Sequence, residues 1–234
     1  MQEPSTPPAI GHVRAVSYNV RRCVGLDGRE SVDRIAAVLE PESADVIALQ
    51  EVLRHEGGLR NQASILATRL GMELVFAEAM PQGPASYGIA LLLRRPPDRI
   101  AVHPLPRIPP AEPRVALEVS LGALTVVTTH WGLRRQERAA QAAEAGKQLP
   151  ASGPLLMMGD FNCTPGSPPA KQLRGALGLE VMPGRLRTFP SPWPVVALDY
   201  ALARGVEFVS VRAVRGRVAR VASDHLPIVV EVVG

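Results

Sequence analysis

Ten strand-length runs of apolar residues recur along the chain, and several of them are apolar at every position rather than at alternate ones. Continuous runs of this kind are typical of strands that are covered on both faces. They lie at residues 13–20, 45–52, 73–78, 87–94, 114–121, 123–130, 154–161, 196–203, 207–214 and 226–233. The pattern therefore predicts a fold in which sheets are buried beneath other elements.

Helical patterns lie between these runs. Ser31 is a favourable N-cap residue, and an apolar stripe with helical spacing follows it. The segment 134–149 is rich in alanine and carries its charges outward, which favours a helix. The predicted stripes and ranges are Ile35, Val38 and Leu39; Leu59, Ala63, Leu66 and Leu70; 134–149; and 168–177.

The connections include both hairpins and longer crossovers. We expect a hairpin that turns at Gly122, and we expect long surface loops at the Pro-rich stretches 96–113 and 183–194. This mixture favours a layered α/β sandwich over a simple doubly wound sheet. We expect a single domain over residues 13–234, preceded by a disordered lead-in over residues 1–12.

The composition narrows the classes of function. Cys23 and Cys163 are too few for a disulfide framework or a thiolate zinc site. The sequence has no apolar run long enough to span a membrane. Its N-terminus also lacks the basic and then apolar pattern of a signal peptide, so we expect a cytoplasmic protein. The net charge is +4, and arginine provides 24 of the 26 basic residues, all but Lys147 and Lys171. Arginine binds phosphates well, but genomic codon bias explains the excess equally, so charge alone does not decide between functions.

Polar or ionisable residues stand where the apolar runs meet loops. These residues are Asn19, Glu51, His130, Asp160 and Asn162, Asp199, and Asp224 with His225. In open α/β sheets, ligands bind at the rim formed by strand ends. Each residue alone has an ordinary structural explanation, but their recurrence at six strand ends is improbable as chance.

Asp199 is the hardest of these residues to explain structurally. It is flanked by apolar residues on both sides, so it should be buried, and a buried carboxylate needs a partner. His225 is the candidate that we choose. The pairing would orient the imidazole ring and raise its pKa by favouring the imidazolium.

The inventory of side chains indicates one kind of chemistry. The sequence has no nucleophilic serine elbow, no phosphate-binding P-loop and no Cys/His metal cluster. Glu51 with Asp224 or Asn19 suits Mg²⁺ or Mn²⁺. Asp160 could hold or deprotonate a water, and Asn162 could donate to the transition-state oxyanion, with Gly159 leaving room for the substrate. The set predicts metal-assisted hydrolysis of a phosphate ester.

In order and context, these motifs resemble those of the endonuclease/exonuclease/phosphatase superfamily. The matching pieces are "YNV", "ALQEV", "TTHWGL", "GDFN", "LDY" and "SDHLP", which together span residues 18–227. The resemblance implies a four-layer α/β/β/α sandwich of two packed mixed sheets, with the site at one end. Two departures separate the chain from the apurinic endonucleases, namely the pair Arg21 and Arg22 after "YNV" and Ile89 after Gly88.

The resemblance also implies roles for the motif residues. Glu51 is similar to the main metal ligand, Asn19 to an orienting or metal-linked partner, and Asp224 to a residue that assists the metal or the leaving group. The resemblance further implies that the residues in contact with the reacting phosphate and water are His130, Asp160, Asn162 and the Asp199–His225 dyad. Whether Asp160 or His225 is the general base stays open.

Three further residues are candidates for substrate binding. Arg114 stands where relatives place a phosphate-contacting arginine, Trp131 follows His130, and Trp193 lies in the loop before Asp199. An arginine cluster over 212–220 is either an anionic-substrate rim or a solvated hairpin.

We expect a phosphodiesterase or nuclease that acts on a phosphate ester, with nucleic acid and phospholipid headgroups as candidate substrates. A phosphatase or phospholipid-headgroup hydrolase is the alternative, and a non-catalytic binding module of the same fold is disfavoured by the complete residue set. Nothing in the sequence calls for an obligate protein partner.

Overall fold

Residues 10–55 and 61–234 are described by the computed structural model, and they form twelve strands and five α-helices. The strands are β1 (Val13–Asn19), β2 (Val46–His55), β3 (Glu73–Gln82), β4 (Ala85–Leu93), β5 (Arg99–Leu105), β6 (Arg114–Leu121), β7 (Leu124–His130), β8 (Leu155–Asp160), β9 (Glu180–Val181), β10 (Asp199–Arg204), β11 (Glu207–Ala213) and β12 (Ile228–Val233). The helices are α1 (Val32–Leu39), α2 (Gln62–Leu70), α3 (Arg135–Gln148), α4 (Pro168–Leu177) and α5 (Ala219–Ala222). Most of the predicted lead-in, residues 1–9, lies outside the described residues.

The strands form two six-stranded mixed sheets. The first has the order β11-β12-β1-β2-β4-β3, and the second has the order β5-β6-β7-β8-β10-β9. Each sheet contains one central parallel pair, β1 with β2 and β7 with β8. A parallel pair needs a crossover, which α1 and α3 provide. The two parallel pairs bring four strand ends to the same end of the molecule.

The two sheets pack face to face, with helices outside. One core cluster joins the inner faces of both sheets and extends to α3 and α4, which cover the second sheet. A second cluster lies between the first sheet and the helices α1 and α2. The predicted four-layer α/β/β/α sandwich is therefore confirmed.

The local signals for helices and turns are also borne out. The backbone N–H of Arg34 donates to Ser31 Oγ over 3.2 Å, so Ser31 caps α1 as predicted. The predicted stripes and ranges correspond to α1–α4, although Leu59 lies outside the described residues. Gly122 turns the β6–β7 hairpin with a φ of +60°.

One expectation about the loops is wrong. The Pro-rich stretch 96–113 contains strand β5, which pairs antiparallel with β6. Strand β5 lies at the edge of the second sheet, with Pro104 opposite Val115. An edge strand tolerates proline because one side of its backbone has no neighbouring strand to bond.

Candidate active site

The ends of β7 and β8 and a bulge within β2 border a cavity of about 450 Å³. Seven of the eleven residues predicted from the sequence line it: Glu51, Arg114, His130, Asp160, Asn162, Asp224 and His225. Asn19 and Asp199 are not in the lining, but they hydrogen-bond to residues that are. The structure therefore brings together nine of the eleven predicted residues.

Sheet register explains why Asp160 is central to the site. It ends β8 and has His130 of β7 as its register partner on one side and Asp199 of β10 on the other. Directly opposed residues of neighbouring strands project to the same face of a sheet. The second sheet thus places three ionisable side chains in one row.

The Asp160 carboxylate is surrounded by nitrogen donors. Its Oδ1 accepts the backbone N–H of Asn162 over 2.9 Å, and its Oδ2 accepts from Asn19 Nδ2 over 3.0 Å. The same Oδ2 lies 3.5 Å from His130 Nε2 and 3.7 Å from His225 Nε2. Side chains from both sheets therefore converge on a single oxygen atom.

His225 is oriented by a buried carboxylate. Its Nδ1 lies 2.8 Å from Asp199 Oδ2, which also accepts a 2.5 Å hydrogen bond from Thr188 Oγ1. Burial alone would lower the pKa of His225, but the Asp199 carboxylate and its hydrogen bond, with Asp160, raise it to about 10. The ring is therefore an imidazolium at neutral pH, and its Nε2–H points to the Asp160 side.

The pKa values of Asp160 and His130 shift in opposite directions. Burial, followed by the negative charge of Asp199, raises the pKa of Asp160 above the usual range for a carboxyl. Burial, followed by the positive charges of Arg114 and His225, lowers the pKa of His130 well below its usual value. His130 is therefore a neutral ring next to a cationic one.

Arg114 determines the tautomer of His130. Its Nη1 lies 3.1 Å from His130 Nδ1. Because a guanidinium has only donors, Nδ1 must carry the lone pair and Nε2 the proton. The Nε2–H then faces Asp160. The other terminal nitrogen of Arg114 lies 2.9 Å from Glu112 Oε2, and the sequence did not single out Glu112.

A backbone irregularity positions Glu51. Strand β2 shifts register against β4 between Leu49 and Val52, and Glu51 has a φ of 57°. A bulge of this kind redirects a side chain, and a left-handed non-glycine residue costs on the order of 1–3 kcal/mol. Glu51 Oε1 accepts from Asn19 Nδ2 over 3.0 Å. Asn19 Oδ1 is occupied by the backbone N–H of Arg21, so Asn19 bridges the two carboxylates with its nitrogen.

A left-handed turn follows Asn19. Arg21, Arg22 and Cys23 have φ values of 47°, 55° and 57°. The turn places Arg22 in the cavity lining and Arg21 Nε 3.6 Å from Asp224 Oδ2. In the sequence these arginines were visible only as a departure from relatives, with no indication that they border the site.

The donor set fits a divalent cation. The carboxylates of Glu51, Asp160 and Asp224 line the same cavity. Asp160, Asp199 and His225 have potential ligand atoms within 4.8 Å of one another, but His225 offers no lone pair while it is an imidazolium. Oxygen donors of this kind are those that Mg²⁺ and Mn²⁺ prefer. Asp199 Oδ1 is buried without a protein hydrogen-bond partner among the described residues.

The two tryptophans predicted to bind substrate lie in different environments. Trp131 has no exposed surface and packs edge-on against Phe161, with ring centroids 5.0 Å apart, so its indole cannot contact a substrate in this structure. Its backbone carbonyl accepts from Asn162 Nδ2 over 2.8 Å, so Trp131 helps to orient the Asn162 side chain. Trp193 is 81% exposed and does not line the cavity. Phe189, in the same loop, lines the cavity with its ring centroid 4.9 Å from that of His225.

In the described ranges, none of the helices combines the length and the apolar character needed to cross a bilayer.

A curated relative is the uncharacterised protein YbhP of Escherichia coli (strain K12). The two sequences are 27% identical over an alignment of 213 residues, which covers 81% of this chain and 83% of YbhP.

Solved structures with the same fold include the endonuclease/exonuclease/phosphatase from Beutenbergia cavernae DSM 12333, with a TM-score of 0.78 at 24% identity over 95% of this chain and 72% of that one. The Bacteroides thetaiotaomicron VPI-5482 mannosyl-6-phosphatase Bt3783 has a TM-score of 0.74 at 16% identity over 95% and 100% of the two chains. A sequence model of the Endonuclease/Exonuclease/phosphatase family matches residues 16–225. The chain therefore belongs to the endonuclease/exonuclease/phosphatase family, whose members are generally phosphoester hydrolases.

Proposed function

We propose that this protein hydrolyses phosphodiesters with a divalent cation, Mg²⁺ or Mn²⁺, through in-line attack of a water molecule. The observation that carries the proposal is the convergence on Asp160 Oδ2 of Asn19 from the first sheet and of His130 and His225. Carboxylates and nitrogen donors thus border one cavity, which suits a metal and an anionic ester side by side.

Glu51 and Asp224 would hold the cation, because both line the cavity and offer carboxylate oxygens. Asn19 orients Glu51 through its Nδ2–H group, and its oxygen accepts the backbone N–H of Arg21. When bound, the cation neutralises charge on a phosphoryl oxygen and on the leaving oxygen.

Asp160 orients the attacking water and accepts its proton. A raised pKa brings a carboxylate closer to the range in which a general base works well at neutral pH. His225 is an imidazolium held by Asp199, so it stabilises the negative charge of the phosphoryl group instead of removing a proton.

His130 and Asn162 complete the phosphate contacts. The proton on His130 Nε2 can be donated to a phosphoryl oxygen because Arg114 occupies Nδ1. Asn162 Nδ2 donates one of its two hydrogens to the Trp131 carbonyl, and the second hydrogen can be donated to the substrate.

The Glu112–Arg114 ion pair favours a diester over a monoester. A monoester carries up to two negative charges, whereas a diester carries one. Glu112 pairs with Arg114 at 2.9 Å and reduces the positive charge that Arg114 presents to the cavity. A phosphomonoesterase is the alternative, and the resemblance to a mannosyl-6-phosphatase does not favour it because identity at that level shows the fold alone.

The proposal is tested by a substrate panel. Hydrolysis of bis-(p-nitrophenyl) phosphate, p-nitrophenyl phosphate and plasmid DNA is measured with Mg²⁺, Mn²⁺ or EDTA. We expect metal-dependent turnover of the diester that is lost in Asp160→Ala and His225→Ala and retained in Glu73→Gln, a change to an exposed carboxylate on β3. Equal activity in all four proteins would contradict the proposal.

A further inference from the structure

Three segments beside the cavity, two loops and a stretch that includes α5, are tied into one surface, which we call the rim: residues 24–28, 189–195 and 214–222. Leu26 N–H donates to the carbonyl of Val221 over 2.9 Å. Arg220 Nη1 donates to the carbonyl of Pro192 over 2.6 Å, and Ser191 Oγ donates to the carbonyl of Arg220 over 3.0 Å. Ser191 N–H also donates to the Asp224 carbonyl over 2.7 Å, so the rim adjoins the site.

The rim exposes an unusual amount of apolar surface. Trp193 is 81% exposed, and four aliphatic side chains are between 42% and 62% exposed. The four are Leu26, Val195, Val218 and Val221. Single exposed apolar residues are common on proteins, but several on adjoining loops mark an interaction surface. Val218 and Val221 stand one helical turn apart, so they share a face.

The charge of the rim is positive. Its basic residues are Arg215, Arg217 and Arg220, and its one acidic residue is Asp27. Asp27 is paired with Arg34 by two hydrogen bonds, which leaves the arginines as the uncompensated charge of the rim.

We propose that the rim docks the protein on the surface of an anionic phospholipid bilayer. A tryptophan and aliphatic side chains entering the headgroup boundary, with arginines attracted to anionic lipids, are the features of interfacial binding. Single-stranded nucleic acid fits less well, because successive bases stack on aromatic rings and four of the five exposed apolar side chains of the rim are aliphatic.

Docking through the rim would bring the cavity mouth to the level of the lipid headgroups. A phosphodiester in a phospholipid headgroup is then the substrate class, and this last step rests on the proposed function. The docking itself does not, since it involves none of the residues assigned to the metal or to the reaction.

Tryptophan fluorescence tests docking directly, in EDTA so that catalysis does not contribute. Trp131 is completely buried, so a blue shift of emission and quenching by brominated acyl chains report Trp193. We expect both signals, and co-sedimentation, with vesicles of phosphatidylcholine and phosphatidylglycerol but not with phosphatidylcholine alone. Trp193→Phe should remove the fluorescence signals.

Matched double variants separate the rim from general surface effects. Val218→Ser with Val221→Ser should weaken co-sedimentation, and Arg215→Ser with Arg217→Ser should weaken it about fivefold per arginine. Controls are Ile100→Ser with Val102→Ser on edge strand β5, which are 52% and 45% exposed, and Arg95→Ser with Arg99→Ser. The controls should bind as the wild type does, and thermal unfolding verifies that all variants fold.

Two outcomes would overturn docking. One is an absence of vesicle binding, or binding by the rim variants that equals that of the controls. The other is a response of Trp193 to a single-stranded oligonucleotide and not to vesicles, which would make the rim a nucleic-acid surface. Diester hydrolysis by a protein that fails to bind vesicles would overturn docking alone and leave the proposed function standing.

Discussion

Asp199 and His225 form a buried pair across strand β10 and the segment before β12, with 2.8 Å between Asp199 Oδ2 and His225 Nδ1. The pair is positioned by Thr188, whose hydroxyl donates to the same oxygen. Because Nδ1 is engaged, the ring presents Nε2 to Asp160, 3.7 Å away. The carboxylate thereby controls both the direction and the charge of the histidine.

Stability should fall as the pH rises through the alkaline range. The pKa of His225 is raised from 6.5 to about 10 in the folded protein, so its pairing contributes fully below pH 6.5 and is lost as the pH approaches 10. Urea unfolding between these pH values measures the slope. In Asp199→Asn the part of the slope due to His225 should become smaller, because Asp199 is the main group that raises its pKa. An unchanged slope would show that the pair does not hold the extra proton.

Asn19→Ala should weaken metal binding. The Asn19 amide bridges Glu51 and Asp160 with 3.0 Å hydrogen bonds, and loss of such an outer partner typically costs about 10–100-fold in metal affinity. Calorimetric titration with Mn²⁺ measures the affinity. Asn61→Ala, which removes the cap of α2, controls for a general loss of stability. Equal affinity in Asn19→Ala and wild type would remove Asn19 from the metal site.

The two tryptophans should differ sharply in their effect on stability. Trp131→Ala removes a fully buried ring and should lower the free energy of unfolding by about 3–5 kcal/mol. Trp193→Ala alters an exposed side chain and should change it by no more than about 0.5 kcal/mol. Urea denaturation of both variants gives the comparison. A similar small loss in both would mean that Trp131 is not a core residue.

Asp160→Asn should lower kcat about 10²–10⁴-fold for bis-(p-nitrophenyl) phosphate. The change preserves shape but removes the proton acceptor, so KM should change much less than kcat. Wild-type kcat should rise with pH as Asp160, with its raised pKa, ionises. If Asp160→Asn keeps the wild-type kcat, Asp160 is not the general base and another group accepts the proton.

Glu112→Gln should shift the preference toward monoesters. The change releases Arg114 from a 2.9 Å ion pair, and the positive charge then available favours a dianion. Because Glu112 is half exposed, the pair is worth at most about 1 kcal/mol, or about fivefold in the ratio of kcat/KM values. The ratio for p-nitrophenyl phosphate over bis-(p-nitrophenyl) phosphate measures it. A ratio that is unchanged or lower would show that Glu112 does not set this preference.

The sequence predicted the parts of the site that depend on strand ends. Asp160, His130 and Asp199 end or begin neighbouring strands, and a strand end is readable from the change between apolar and polar residues. The partner of Asp199 was also predictable, because a carboxylate among apolar residues requires one. The layered arrangement of the fold was predictable from the continuous apolar runs.

Other features depend on contacts between distant segments. The sequence suggested that Gly159 leaves room for the substrate. In the structure, a side chain at this position would collide with the backbone carbonyl of Thr129 on the neighbouring strand, so close strand packing requires the glycine. The burial of Trp131 results from packing against Phe161, and the Glu112–Arg114 pair results from the course of a loop. None of these contacts leaves a periodic pattern in the sequence.

The dependence of diester hydrolysis on Mn²⁺ in wild type and Glu51→Gln tests the central claim most directly. After removal of metal with EDTA, the wild type should be inactive on bis-(p-nitrophenyl) phosphate and should recover activity saturably with Mn²⁺. Glu51→Gln should need at least about tenfold more Mn²⁺ for half-maximal rate, since it loses a charged ligand. Full activity of the wild type in EDTA, or the same half-maximal Mn²⁺ concentration in both proteins, would contradict the account.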